Sequence, residues 1–193
     1  LEGWFATVPG LKVVVPSTPY DALGLLRACL KEEDPVMFIE HVLLYGSRGE
    51  VPDEYYEVPL GLADVKMEGT DVTLVATSGM IPVVLDAAGS LAQRGVSAEV
   101  IDLRSLRPLD IDTVVASVRK THHCLVVEEA WGIGSYGSYV AFLTQRLAFD
   151  GLDAPVGRLG GADVPMPYSA SLERLAIPDS ASVLRAVEEQ FGL

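Results

Sequence analysis

The 193-residue chain is poor in cysteine, histidine and positive charge, with 2 Cys, 3 His, and 14 Lys and Arg set against 27 Asp and Glu. Two cysteines are too few for a disulfide framework, and Cys29 and Cys124 stand in apolar helical and strand contexts. They read as buried thiols of a reducing compartment, so a cytoplasmic protein is expected. His41, His122 and His123 have no Cys or His partner at ligand spacing, which argues against a structural metal. The net charge of −13 argues against nucleic acid, because phosphate-backbone binding depends on clustered Lys and Arg. A basic partner protein suits such a surface better. No apolar run approaches the roughly 20 residues that span a bilayer. No charged segment precedes an apolar one at the start, so no signal peptide is expected.

What is present is the composition of a globular protein, 49% hydrophobic and 21% charged. The length suffices for one full core and part of another. "LEGWFATVPG" reads as the tail of a helix ending near Pro9-Gly10. "LKVVVP" is a short strand, and the helix that follows has Thr18 as N-cap, Pro19 in its first turn and Asp21 closing a capping box. Its apolar stripe is Ala22, Leu25, Leu26, Cys29 and Leu30, one face at helical spacing. With "PVMFIE" as the next strand, residues 11–40 form a parallel, right-handed β-α-β unit.

Residues 41–70 carry turn signals without sustained periodicity and read as a linker with one or two extended pieces. From Asp71 onward strands and helices alternate regularly: strand "VTLVAT", helix 80–94, strand "SAEVIDL", helix 110–120, strand "CLVVEEA", helix 135–149, strand "APVGRL" and a last helix from Ser180. This predicts an α/β fold, an open, mostly parallel sheet flanked by helices on both faces. Met80, Val84, Ala87, Ala88 and Leu91 mark one buried helix face, and Val183, Leu184, Val187 and Phe191 another.

"EEAWGIGSYGSYV" contains Gly132-x-Gly134-x-x-Gly137, the spacing of a dinucleotide-binding turn. Its context differs from that fingerprint, since Glu128-Glu129-Ala130-Trp131 intervenes after the strand and two carboxylates beside a phosphate repel it. No acid ends the next strand near Leu159. The turn is therefore expected to be a packing device between strand and helix. Arg104 and Arg107 follow a strand's C-terminal end and are expected to pair with Asp102 and Asp110.

Three ordered blocks, "GLKVVVPSTPYDALGLLRACLKEEDPVMFIEH", "VIDLRSLRPLDIDTVVASVRKTHHCLVVEEAW" and "DAPVGRLGGADVPMPYSASLERLAIP", resemble the beta subunit of the thiamine-diphosphate-dependent pyruvate dehydrogenase component. The resemblance runs through the whole chain. It implies that residues 1–57 are the C-terminal end of a transketolase pyrimidine-binding domain plus a linker, and that residues 58–193 are the transketolase C-terminal domain. The implied reaction is oxidative decarboxylation of pyruvate with acetyl transfer to a lipoyl group. The branched-chain 2-oxoacid and acetoin dehydrogenases share the architecture and are the alternative.

In this family thiamine diphosphate and magnesium lie between alpha and beta subunits, and the residues that hold and use the cofactor match positions upstream of Leu1. No catalytic or cofactor-binding residue is therefore expected here, and the three histidines read as loop or surface residues. The isolated chain is expected to be an inert assembly and docking module. The implied partners are the alpha subunit, a second beta subunit and the subunit-binding domain of the dihydrolipoamide acyltransferase. Residue by residue, a potassium site maps to Cys29, Leu30, Glu32 and Asp34, where the family has Asp and often Asn at the last two. Acyltransferase docking maps to Asp153 and Leu193.

Overall fold

The computed structural model describes residues 2–193. The chain opens with a short helix α1 (Glu2–Ala6) and continues through β1 (Lys12–Val14), α2 (Pro19–Cys29) and β2 (Val36–Phe38). Thr18 caps α2 as its sequence implies, accepting from the Asp21 amide at 3.1 Å, with Pro19 in the first turn. β1 and β2 pair in parallel, as expected of a β-α-β unit. Their sheet acquires a third strand from far along the chain, β6 (Ser105–Arg107), which lies antiparallel to β1.

Two details of α2 depart from expectation. Of its apolar stripe only Leu25 is fully buried, while Leu26 and Leu30 are 43% and 79% exposed. The inward face is instead Asp21, Gly24 and Leu25, because α2 flanks a sheet of only three strands that is too narrow to cover the whole stripe. Gly24 is required there: a Cβ would run into Val58 and Tyr56, and its carbonyl accepts the Val58 amide at 3.1 Å, strapping the linker to the helix. Asp21 does not close a capping box. Its carboxylate is buried and turns to Lys66 and Arg104.

The second sheet holds β3 (Asp64–Met67), β4 (Val72–Ala76), β5 (Ala98–Asp102), β7 (Cys124–Val127) and β8 (Gly157–Leu159), in the order β3-β5-β4-β7-β8. Only the edge strand β3 is antiparallel. Helices α3 (Met80–Ala92) and α7 (Ser180–Phe191) cover one face, and α4 (Ile111–Thr121) and α5 (Tyr136–Leu147) the other. The open α/β architecture read from the strand-helix alternation is therefore the one observed.

Strand pleating sorts the core into two layers. Val72, Leu74 and Ala76 of β4 meet Val84, Leu91 and Val187 on one side, while Val75 meets Val114, Val118 and Val140 on the other. Each such fully buried Val or Leu contributes about 1.5–3 kcal/mol relative to exposure. The α3 stripe Met80, Val84, Ala87, Ala88 and Leu91 is buried as its spacing requires. β6 and a short α6 (Ala170–Ala176) are elements that the periodicity did not reveal.

The two sheets are held together by a buried ionic cluster. Asp21 of α2 receives Lys66 of β3 at 2.6 Å and Arg104, which follows β5, at 3.1 Å. Arg104 also donates to the carbonyls of Leu62 and Ala63 at 3.1 and 3.2 Å. Asp102 completes the group: Ser17 donates to it from the β1-α2 turn, the Arg104 amide donates at 3.0 Å, and Lys66 stands 3.8 Å away.

The two carboxyls differ in balance. Burial alone would raise Asp21, but Lys66, Thr18 and Arg104 outweigh it and hold its pKa below the usual value. Burial dominates at Asp102 and pushes it up to about 6 against the partial relief of Ser17 and Lys66. A raised carboxyl pKa means that the folded chain holds the proton more tightly than the unfolded one, so this group costs stability as pH rises from about 4 to 6. Asp102→Asn is expected to raise stability at pH 8, by on the order of 1–3 kcal/mol. That gain should fade to nothing by pH 4. Thermal melts of both proteins across this range test it, and a difference independent of pH would contradict the assignment.

Candidate functional site

The chain leaves β4 through α3 to β5 on one side, then passes back by way of β6 and α4 to β7 on the other side of β4. The carboxyl ends of β4 and β7 therefore diverge, the place where open α/β sheets bind ligands. A cleft of about 210 Å³ opens there. Val75, Val126 and Leu106 form its apolar floor, and Glu128, Glu129, Trp131, Tyr136 and His41 stand around its rim.

The glycine-rich turn forms one wall. Ser135 caps α5, accepting from the Ser138 amide at 3.1 Å. The Glu128 carboxylate receives the Gly137 amide at 2.9 Å and the Ser135 hydroxyl at 2.6 Å. Arg158 of β8 neutralises that carboxylate at 2.6 Å and also donates to the Ala130 carbonyl at 2.7 Å. A protein carboxylate thus sits at the helix N-terminus, where a dinucleotide fold would hold pyrophosphate. Gly137 is glycine because a Cβ would enter the Glu128 carboxylate, and Gly134 adopts φ +68°. The expectation of a packing turn gains a specific cause.

His41 lies in a loop, as expected, but its side chain is turned inward rather than to the surface. It follows β2, yet its side chain is only 20% exposed and its Nε2 meets Glu129 Oε1 at 2.9 Å. Its Nδ1 is buried without a partner among the described residues. The signal that could have found this pair is positional: "EH" ends β2 and "EE" ends β7, both at carboxyl edges of parallel strands. The other histidines are structural. His122 ends α4 in the left-handed conformation, φ 62°, with Nδ1 2.7 Å from the Gly151 carbonyl. His123 lies 3.0 Å from the Asp71 carbonyl and tilts against Phe191.

Arg104 and Arg107 have structural partners other than those expected. Arg104 pairs with Asp21 rather than with the Asp102 side chain, and Arg107 donates to the Ala6 carbonyl at 2.8 Å. Asp110 is taken up as the N-cap of α4 and as acceptor for the Ala63 amide. Both cysteines are free, and burial pushes Cys29 up to about 11 and Cys124 up to about 12. Neither is a nucleophile at neutral pH.

Cys29, Leu30, Glu32 and Asp34 gather at the C-terminal end of α2. The Cys29 carbonyl accepts the Glu32 amide at 3.2 Å, and the Lys12 ammonium pairs with Glu32 and, at 3.3 Å, with Asp34. Both carboxylates there already face a cation of the chain itself. Asp153 is exposed, its amide donating to the His122 carbonyl at 3.0 Å, and the Leu193 side chain packs against the core. Gln190 of α7 donates to the Pro155 carbonyl at 2.9 Å, which places the Asp153 loop and the end of α7 at one corner.

The cleft does not fit the diphosphate of a thiamine diphosphate. The α5 N-terminus is occupied by Glu128, and the cleft histidine is engaged with Glu129.

An open α/β sheet with its cleft at the strand crossover, preceded by a β-α-β unit, defines the class of open-sheet α/β domains that bind at the carboxyl ends of their strands. The chain belongs to the transketolase C-terminal domain family, which matches residues 61–183, and residues 1–47 match the transketolase pyrimidine binding domain. It is 47% identical over 189 residues to the pyruvate dehydrogenase E1 component subunit beta-2, mitochondrial, of Oryza sativa subsp. japonica, covering 96% of this chain and 50% of that protein. It is 44% identical over 192 residues to the acetoin:2,6-dichlorophenolindophenol oxidoreductase subunit beta of Bacillus subtilis, covering 100% and 56%. A solved "split gene transketolase, inactive beta4 tetramer" superposes with a TM-score of 0.79 at 27% identity, over 100% of this chain and 61% of that one. The resemblance to the beta subunits, as their C-terminal portion, is borne out. The chain spans about half the length of the curated relatives it matches.

The glycine wall generates a paired test. Gly137→Ala should destabilise by about 1–3 kcal/mol through overpacking against Glu128. Gly132→Ala, whose Cβ would meet only the end of Arg158 at 3.5 Å, should stay within about 0.5 kcal/mol of wild type. Denaturant melts in which both changes cost the same would refute this division of roles.

Proposed function

We propose that this chain is the C-terminal portion of a pyruvate dehydrogenase E1 beta subunit, and that the whole protein takes part in oxidative decarboxylation of pyruvate with acetyl transfer to a lipoyl group. The observation that carries this is 47% identity to a pyruvate dehydrogenase beta subunit over 96% of the chain. The acetoin relative, at 44%, supports an acetoin dehydrogenase as the second reading. Residues 1–57 then close a pyrimidine-binding domain and residues 58–193 form the C-terminal domain, with the matches to 1–47 and 61–183 in support.

On this reading thiamine diphosphate and magnesium bind between alpha and beta subunits, through residues outside this chain. Two beta subunits associate with two alpha subunits. The acyltransferase's subunit-binding domain docks at the corner carrying Asp153 and Leu193, a role favoured by the exposure of Asp153 and the charge of −13. Potassium at Cys29, Leu30, Glu32 and Asp34 belongs to the same reading, with Lys12 as the competing cation.

The full-length gene product, mixed with an alpha subunit, thiamine diphosphate and magnesium, should decarboxylate pyruvate faster than acetoin is cleaved. The 193-residue chain alone should give a flat trace with either substrate. A preference for acetoin would replace the first reading by the second. In the full-length protein Asp153→Lys should weaken capture of the subunit-binding domain at least tenfold, equivalent to about 1.4 kcal/mol. The loss should shrink as salt is raised. Unchanged affinity in calorimetry would remove Asp153 from the interface.

A further inference from the structure

We propose that the cleft between the carboxyl ends of β4 and β7 receives one basic side chain, an arginine or a lysine, presented by a partner protein. Size sets the first limit. At about 210 Å³ the cleft lies below the roughly 300–1,000 Å³ of small-molecule and cofactor pockets, and suits one extended side chain.

Charge sets the second. Two helices begin at this cleft, and several of their first amides already have acceptors within the chain. At α5 the Gly137 amide is held by Glu128 and the Ser138 amide by Ser135. At α3 the Met80 and Ile81 amides close on the Thr77 and Ser78 carbonyls at 3.0 and 3.1 Å, and the next residue, Pro82, has none. Of the two carboxylates following β7, Glu128 is neutralised by Arg158. Glu129 gives only Oε1 to His41, and its side chain remains 36% exposed with no hydrogen bond to Oε2 among the described residues. The open oxygen of Glu129, with Glu2 also lining the cleft, therefore sets negative charge above the apolar floor.

A long basic side chain suits that arrangement. Its methylene stem can lie along Val75, Val126 and Leu106, and its charged end can reach Glu129 beside the faces of Trp131 and Tyr136. Presentation by a protein, rather than a free amine, is indicated by the mouth of the cleft. Trp4 and Ile133 stand there 65% and 80% exposed, apolar surface that a small cation would leave in water and a folded partner would cover. The net charge of −13 favours a partner of opposite sign.

The test uses the full-length protein and follows the Ile133 methyl resonances. The probe is an acetylated, amidated Leu-Arg-Leu peptide, with its citrulline counterpart as a neutral isostere and spermidine as a free polyamine. Saturable shifts with the arginine peptide are expected, at least tenfold weaker with citrulline and in Glu129→Gln. Ile133→Ser, a change at an exposed position and followed through the Val75 and Val126 methyls that line the same cleft, should weaken the peptide but not spermidine. Equal binding of the citrulline peptide, tighter binding of spermidine, or no shift with any probe would overturn the proposal. So would undiminished affinity in a Glu129→Gln protein with a native melting profile. None of these outcomes bears on the pyruvate assay, so the subunit reading stands or falls separately.

Discussion

The Asp21 carboxylate is the interaction on which the rest of the structure depends. It is buried completely on the helix that follows β1, and its cations come from the other sheet, Lys66 from β3 and Arg104 from the turn after β5. A carboxylate removed from water costs several kcal/mol unless its partners are in place. The β-α-β unit can therefore adopt only one position on the larger sheet, the one that satisfies all three residues together. Ser17 and Asp102 add direction to this constraint, because they join the turn before α2 to the carboxyl end of β5.

The cleft is a consequence of that placement. Its far wall, the glycine turn and Glu128, belongs to the larger sheet, but His41 arrives from the smaller one and meets Glu129 across the seam. Were the two sheets free to shift, the His41–Glu129 contact at 2.9 Å would be among the first lost. The helix-terminus geometry that serves anions in many α/β proteins is present here, but the protein's own carboxylate fills it. Partner recognition then falls to what remains exposed: acid, aromatic and aliphatic surface.

Much of this was legible in the sequence, and the exceptions share a cause. Met80, Val84 and Leu91 repeat at helical spacing under a wide sheet, so their period and their burial agree. Leu26 and Leu30 have the same period, but no element lies over them among the described residues, and they remain exposed. β6 is three residues long and exists because β1, about 90 positions earlier, offers it an edge; nothing local in Ser105–Arg107 encodes that pairing. Asp21 stands where a capping box would put an acid, and only the tertiary arrival of Lys66 and Arg104 gives it another role. Likewise Glu128 and Glu129 were visible as adjacent acids, but their opposite fates, one neutralised by Arg158 and one left half-open beside His41, are decided by residues distant in sequence.

The antiparallel strand β6 has an implication for how the chain can be divided. Its residues lie within the stretch matched to the C-terminal domain, but its hydrogen bonds complete the sheet begun by β1 and β2. The polypeptide crosses back over its own boundary. A cut through the exposed segment around Gly46–Gly49 would leave both pieces stitched together, as a lock remains closed when only the cord of its key is severed. Separating them would require peeling β6 from β1 and exposing Asp21 to water in the same step, so the two halves are expected to open as one cooperative unit.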